Sequence, residues 1–394
     1  MLTACGSGVA GNAAAPPPDP GARGALVEAT KLLTLSEQEI AAQLQQDGFP
    51  VDHVGNGAEI HRLTYRTVDE HGRLTTATGV MALPSTSATA LSVVAFQHGT
   101  MPGRDEAPSV DTGGRSDEAM LFSSAGYAAV VPDYVGLGQG PGAHPYLHAA
   151  SEATAGIDLL RAARSAAAAL HRSLDPKVLV TGFSQGGQAA TALSKALAAG
   201  QGAPFGLRAT AGVSGVYSLQ HREIPALLEG RLDPVGGVFN LSYLLVAWNR
   251  IYHLYGDPAA VFRAPYDTTI AALYDGSRSE DAIFPELPGS VSELLTAEGI
   301  DLLAHPDDPL ASALRENDAT CAGWTSDAPV RLYASDGDEV VAASNSQHCA
   351  EQLKSSGVDV TLAPLVGAPS HFPSEIAGLD LALTWFGSDH PPAR

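Results

Sequence analysis

The sequence predicts an α/β fold, a mostly parallel central sheet with helices on both faces and one mostly helical insertion. Three observations carry the prediction. Between about residues 91 and 214, continuous apolar strand runs alternate with helical stretches, which is the rhythm of a parallel sheet covered on both sides. That rhythm stops from about Tyr217 to Thr325, where the chain is helical with several Pro breaks, and then resumes. Finally, the β-branched run from Val178 breaks at the G-x-S-x-G pentapeptide Gly182-Phe183-Ser184-Gln185-Gly186, and a small-residue helix follows from Gln188 to Ala199. Strand, sharp turn and helix are the setting of a nucleophile elbow, which aims a serine hydroxyl away from the sheet.

The composition agrees with a large folded core. The chain has 394 residues, 45% of them apolar and 16% charged, enough for one large domain with an insertion or for two domains. A net charge of −21 excludes nucleic acid as a partner, because phosphate contacts need clustered Lys and Arg. Solubility is the simplest reading of that acidity. No apolar run is long enough to span a membrane.

In chain order, Leu2-Thr3-Ala4-Cys5-Gly6 resembles a bacterial lipobox, although only Met1-Leu2 precede it where a signal peptide would stand. The resemblance implies a lipid anchor at Cys5 and a protein secreted or held at the bacterial cell surface. The other reading is a chance cysteine. The Gly/Ala/Pro tract that follows, through Gly24, reads as a tether. Ser36 and Glu39 form a capping box that opens a helix, and Gly48 closes it. Residues 60–69 and 73–83 alternate apolar and polar around His71-Gly72 and read as an antiparallel pair. Buried strands follow at Leu91–Phe96 and Tyr127–Val131, then a helix from about Leu147 to Leu170, the elbow strand and its helix, and a strand over 208–214. Beyond the insertion come strand 330–334, helix 342–356, strand 358–365 and helix 374–386. The expected organisation is a tether over 1–30, a core over 31–216, a helical cap over 217–325 and the rest of the core over 326–394. A cap at that point covers the carboxyl edge of the sheet, where ligands bind in open α/β sheets. Within it, Phe239 to Trp248 is apolar on nearly every helical face and must be buried all round. Either it is plain cap core, or Leu244, Leu245 and Trp248 also line an acyl pocket.

Phe96-Gln97-His98-Gly99-Thr100, Pro132-Asp133-Tyr134-Val135-Gly136-Leu137-Gly138, His144-Pro145-Tyr146-Leu147-His148 and Gly182-Phe183-Ser184-Gln185-Gly186-Gly187, with the large insertion, make the chain resemble the α/β-hydrolases. More narrowly, they resemble the secretory-lipase group that includes Candida antarctica lipase A. The resemblance covers about residues 50–390. It implies a Ser-His-Asp acyl-enzyme mechanism in an extracytoplasmic carboxylester hydrolase acting on an ester substrate, with an apolar acyl group expected. A peptidase or amidase on the same fold is the alternative, and a non-catalytic surface lipoprotein a more distant one.

In that fold the acid and then the histidine follow the serine in the chain. The resemblance puts the acid at Asp338, before Glu339-Val340-Val341, with Asp336 as the alternative; either could instead be a turn aspartate. The histidine after the last strand is His371, expected in the loop before the final helix. The implied oxyanion hole pairs the backbone N–H of Gln185 with that of Thr100, or of Gly99. His98 is expected to be structural. Tyr134 should border the pocket and bind substrate, unless it is a packed core tyrosine. In an exported protein Cys321 and Cys349 should pair, closing a loop worth about 3.5 kcal/mol on a chain-entropy estimate; the alternative is two separate buried thiols. No metal is expected, because no H-E-x-x-H or C-x-x-C spacing occurs and Pro145 separates His144 from His148. Gly136, Gly138 and Gly140 lack the dinucleotide spacing, so no cofactor is expected.

Overall fold

A computed structural model describes residues 22–113 and 116–392; Cys5 lies outside them. The elements run β1 (Leu26–Leu35), α1 (Glu37–Gln46), β2 (Ala58–Val68), β3 (Leu74–Pro84), β4 (Ala90–Gln97), α2 (Asp117–Ser124), β5 (Ala128–Pro132), α3 (Ala149–Ala169), β6 (Ser173–Phe183), α4 (Gln185–Ala198) and β7 (Gly206–Val213). The insertion carries α5 (Ile224–Leu228), α6 (Pro234–Tyr252), α7 (Pro258–Val261), α8 (Tyr266–Leu273), α9 (Glu280–Ile283), α10 (Val291–Leu294), α11 (Ala297–Ala304) and α12 (Leu310–Asn317). The chain ends with β8 (Val330–Ala334), α13 (Ser344–Ser355), β9 (Val360–Pro364) and α14 (His371–Asp389).

The strands form one nine-stranded sheet in the order β1-β2-β3-β5-β4-β6-β7-β8-β9. The pairs from β5 to β9 are parallel, and β1, β2 and β3 add an antiparallel edge. Both sheet faces are apolar because successive strand residues point to opposite sides. In β4, Val93 and Ala95 enter the core under α3, α4 and α13, whereas Val94 and Phe96 enter the core under α1, α2 and α14. In β6, Val178 and Val180 divide from Leu179 in the same way. The insertion has a core of its own around α6, to which Tyr146, Leu147 and Val216 also belong. Cys321, which follows α12, is disulfide-bonded to Cys349 of α13, with the Cα atoms 5.2 Å apart.

The structure departs from the sequence expectations in three places that matter. Regular structure begins at Leu26, inside the stretch expected to be tether, because Leu26–Leu35 pairs antiparallel with β2. This is an edge strand with most side chains at least partly exposed, so it has little hydrophobic signature, and Lys31 on it meets Glu59 at 3.1 Å. The elbow helix starts at Gln185 rather than Gln188. The last helix starts at His371 rather than residue 374. Pro373 falls in its first turn, where the N–H that proline lacks would have had no intrahelical acceptor.

Candidate active site

The parallel register places the site. Gln97 at the end of β4 pairs with Gly182 near the end of β6, so the loop at 98–100 comes to lie beside Ser184. The elbow needs its glycines for space. A Cβ on Gly186 would sit 1.9 Å from the Gln97 carbonyl oxygen, and one on Gly182 would sit 2.1 Å from that of Gly186. Ser184 itself has φ 56° and ψ −120°, outside the usual regions for a side-chain-bearing residue, at a cost of about 1–3 kcal/mol. The turn is held by the Ser184 N–H donating to Val213 O at 3.0 Å and the Gly187 N–H donating to Ser184 O at 2.9 Å.

Three sequence-predicted residues meet there. Ser184 Oγ lies 3.0 Å from His371 Nε2. His371 Nδ1 lies 2.9 Å from Asp338 Oδ2 and 3.0 Å from Oδ1. With Nδ1–H donating to the carboxylate, Nε2 is left to accept from the serine hydroxyl. Asp338 is fixed in turn by the N–H groups of Val340 (3.0 Å) and Val341 (2.8 Å), which donate to Oδ1. Asp336, the alternative acid, is exposed, and the carboxylate hydrogen-bonded to His371 Nδ1 is that of Asp338. Glu339 Oε2 accepts from the His371 N–H at 3.1 Å, which anchors the start of α14, and the Phe183 ring lies 4.6 Å from the imidazole. Gln185 is the first residue of α4, so its N–H is one of the helix's free donors. Gly99 and Thr100 line the same cavity as Ser184 and His371.

No family model matches the sequence, and no curated protein sequence matches it. Solved structures do. LipA of Xanthomonas oryzae, a rice cell wall degrading esterase, superposes with a TM-score of 0.82 at 27% identity, over 93% of this chain and 98% of LipA. Candida antarctica lipase A superposes with a TM-score of 0.68 at 17% identity, over 95% of this chain and 88% of the lipase. The chain has the α/β-hydrolase fold. An esterase and a lipase are thus among the solved structures that share this fold.

Two cavities meet at Ser184. The wider one, about 290 Å³, also contains His371, Gly99, Thr100, Met101, Phe239 and Phe284. The narrower one, about 40 Å³, is walled mostly by apolar side chains, among them Leu147, Val216, Ile224, Leu227, Leu241 and Leu244, with Glu223 and Asn240 as polar members. That volume holds about three water-sized groups. Of the cap residues considered above, Leu244 lines this cavity. Leu245 and Trp248 do not; the Trp248 indole N–H instead donates to Tyr146 O at 3.0 Å.

Tyr134 is not where it was expected. It is 1% exposed, lines neither cavity, and donates its hydroxyl to His98 O at 3.3 Å. It is a packed residue beneath the site, as is His98, whose pKa burial pushes down to about 4. The wider cavity also holds residues that sequence reasoning missed. Glu118, Asp233, Glu280, Glu339 and Glu375 line it. Burial, then Glu106 and Asp281, push the Glu280 carboxyl up to about 7. Burial and the neighbouring Glu118 raise that of Glu375 well above its ordinary value. These carboxyl groups come from separate elements, so no local motif announces them.

Proposed function

We propose that the protein is an extracytoplasmic serine carboxylester hydrolase with Ser184 as nucleophile, His371 as base and Asp338 as orienting acid. The observation that carries the reading is the unbroken chain Ser184 Oγ, His371 Nε2, His371 Nδ1, Asp338, with steps of 3.0 and 2.9 Å at the carboxyl ends of β6, β8 and β9. His371 takes the Ser184 proton as Oγ attacks the ester carbonyl carbon, and the carbonyl π-pair moves onto oxygen. The N–H groups of Gln185 and Thr100 then donate to that oxyanion. As the tetrahedral intermediate collapses, the C–O bond to the alcohol breaks and His371 gives its proton to the departing oxygen. Water repeats the sequence on the acyl-enzyme.

The position of His371 separates the two sides of the ester. The leaving group must lie near Nε2, and His371 lines only the wider cavity. The acyl chain therefore takes the narrow apolar cavity, whose size favours short acyl groups of about two to four carbons. Export is supported by the Cys321–Cys349 disulfide, which persists in oxidising compartments, and a lipid on Cys5 would then hold the protein at a membrane. Hydrolysis of p-nitrophenyl esters tests the reading. The wild type hydrolyses acetate and butyrate esters, and Ser184→Ala loses about 10⁴-fold or more in kcat. Retention of activity in that variant would overturn the assignment.

A further inference from the structure

The segment between β5 and the first turns of α3, residues 133–152, carries two of the sequence motifs, yet none of its side chains belongs to the hydrogen-bonded chain from Ser184 to Asp338. Its contacts lead elsewhere. His144 Nδ1 donates to Val135 O at 3.0 Å, which leaves Nε2 as an acceptor. The Gln185 side-chain Nε2 lies 3.0 Å from that nitrogen and 2.7 Å from Glu152 Oε1. Both amide hydrogens of Gln185 are therefore directed at fixed acceptors, in a pocket where Gln185 and Glu152 are buried. On the other flank the Tyr134 ring lies between His98, at 4.3 Å, and His144, at 5.7 Å and nearly parallel. The Tyr134 hydroxyl donates to His98 O. His98 Nδ1 lies 2.7 Å from Gly99 O, and Thr100 Oγ1 lies 3.1 Å from the Tyr146 hydroxyl.

From this geometry we infer that residues 133–152 brace the oxyanion hole: His144 and Glu152 are positioning residues for the Gln185 N–H, and Tyr134 positions the loop at 98–100. The inference rests on the proposed function, and it explains how the elbow keeps its shape. Ser184 is held at a positive φ, and strained backbone persists only where its surroundings over-determine it. Gln185 is the next residue. With its side chain fixed at both amide hydrogens, rotation of the Ser184–Gln185 peptide would break two buried hydrogen bonds. It also explains a buried carboxyl that otherwise only costs stability. None of the described ion pairs reaches Glu152, and burial pushes its carboxyl up to about 8 and the His144 imidazole down to about 3, so both are uncharged near neutrality.

The test compares wild type, Glu152→Leu, Glu152→Gln, His144→Phe and Ser184→Ala on p-nitrophenyl butyrate. A short alkyl trifluoromethyl ketone serves as a probe of the oxyanion. It adds Ser184 Oγ to its carbonyl carbon, moves the π-pair onto oxygen and passes the serine proton to His371. Expected for Glu152→Leu and His144→Phe is a fall in kcat of about tenfold to a hundredfold. KM should stay within about twofold, and affinity for the ketone should fall by the same factor as kcat/KM. Glu152→Gln keeps an acceptor oxygen and should recover to within about threefold of wild type. If Glu152→Leu does not fold, Gln185→Met removes the amide from the other end and is read in the same way. Wild-type kcat in the folded variants, a rise in KM without a fall in kcat, or unchanged ketone affinity would each overturn the brace. Activity surviving in Ser184→Ala would instead overturn the proposed function.

Discussion

On one side of Ser184 the walls are mostly leucine, isoleucine and valine, with Glu223 their one carboxyl group; on the other they carry five carboxyl groups and no lysine or arginine. The apolar side is narrow and comes mostly from residues 216–244, with Tyr146 and Leu147 from before α3 and Val340 and Val341 from the turn after β8. The acidic side is wide and is assembled from α2, the start of α6, α9, the turn after β8 and α14. An apolar cavity selects by volume, since each methylene that fits contributes about 0.8 kcal/mol and one that does not fit must distort the wall. A hydrated acidic cleft selects through its field, which is longer-ranged and is screened by salt. Under the proposed function, the two halves of an ester would thus be read by different physics.

The largest effect comes from the group both sides share. His371→Ala should lower kcat by about 10⁴-fold for every ester tried, whatever its acyl chain or alcohol; a loss confined to some leaving groups would mean that the two sides do not share one base. The next effect isolates the apolar side. Leu244→Trp should reduce butyrate hydrolysis by about a hundredfold and acetate hydrolysis by much less, whereas Leu244→Ala should move the preferred acyl length up by about two carbons. An unchanged chain-length profile in both variants would show that the acyl group lies elsewhere.

The acidic side predicts a smaller effect. With matched esters of a cationic and an anionic alcohol, kcat/KM should favour the cation by about tenfold at low salt and by much less at 0.5 M salt. Because the Glu280 pKa is raised to about 7, its carboxyl gains charge as pH rises through neutrality. The preference should grow from pH 6 to pH 8 and shrink in Glu280→Gln. A preference independent of pH and salt would remove the field from the account.

The smallest effect is on stability. Glu152 and Glu223 have pKa values raised by burial to about 8, and Asp318 to about 7. A carboxyl whose folded pKa lies above its unfolded value holds its proton more tightly when folded. Its contribution is full below the unfolded value near 4.5 and is lost as pH rises through 7 to 8. The buried histidines act in the opposite sense. His98 and His148, lowered to about 4 by burial, contribute above 6.5 and lose that contribution as pH falls. Above about pH 7 the histidine contribution levels off while that of the carboxyl groups still falls, so the melting temperature should fall from pH 7 to 8, and Glu223→Gln should flatten the fall. A melting temperature that rises between those values would contradict the sign.

Local order was readable in the sequence, and long-range assembly was not. β4 and β6 were legible because residues apolar on both faces give a continuous run, and the Ser184 turn because Gly182 and Gly186 leave no room for a Cβ. Chain order in the resembled fold pointed to Ser184, an aspartate after β8 and His371, and only the family resemblance favoured Asp338 over Asp336. β1 was illegible because a half-exposed edge strand needs no periodic burial. The position of Tyr134 was misread because a motif marks a segment without saying which of its side chains faces the cavity. The acidic cleft and the Gln185 brace depend on partners from separate elements, such as Glu118 with Glu375 and Glu152 with Gln185, and one sequence carries no record of such pairs.

The disulfide has a consequence for the acid of the site. Cys321 and Cys349 close a covalent ring around β8 and the turn that carries Asp338, while Ser184 and His371 lie outside it. The ring confines the proposed acid but not the proposed nucleophile or base. In a reducing compartment the Asp338 turn would be held by non-covalent contacts alone; in an oxidising one its freedom is limited by a bond. The acid is therefore the member of the three whose placement is coupled to where the protein matures.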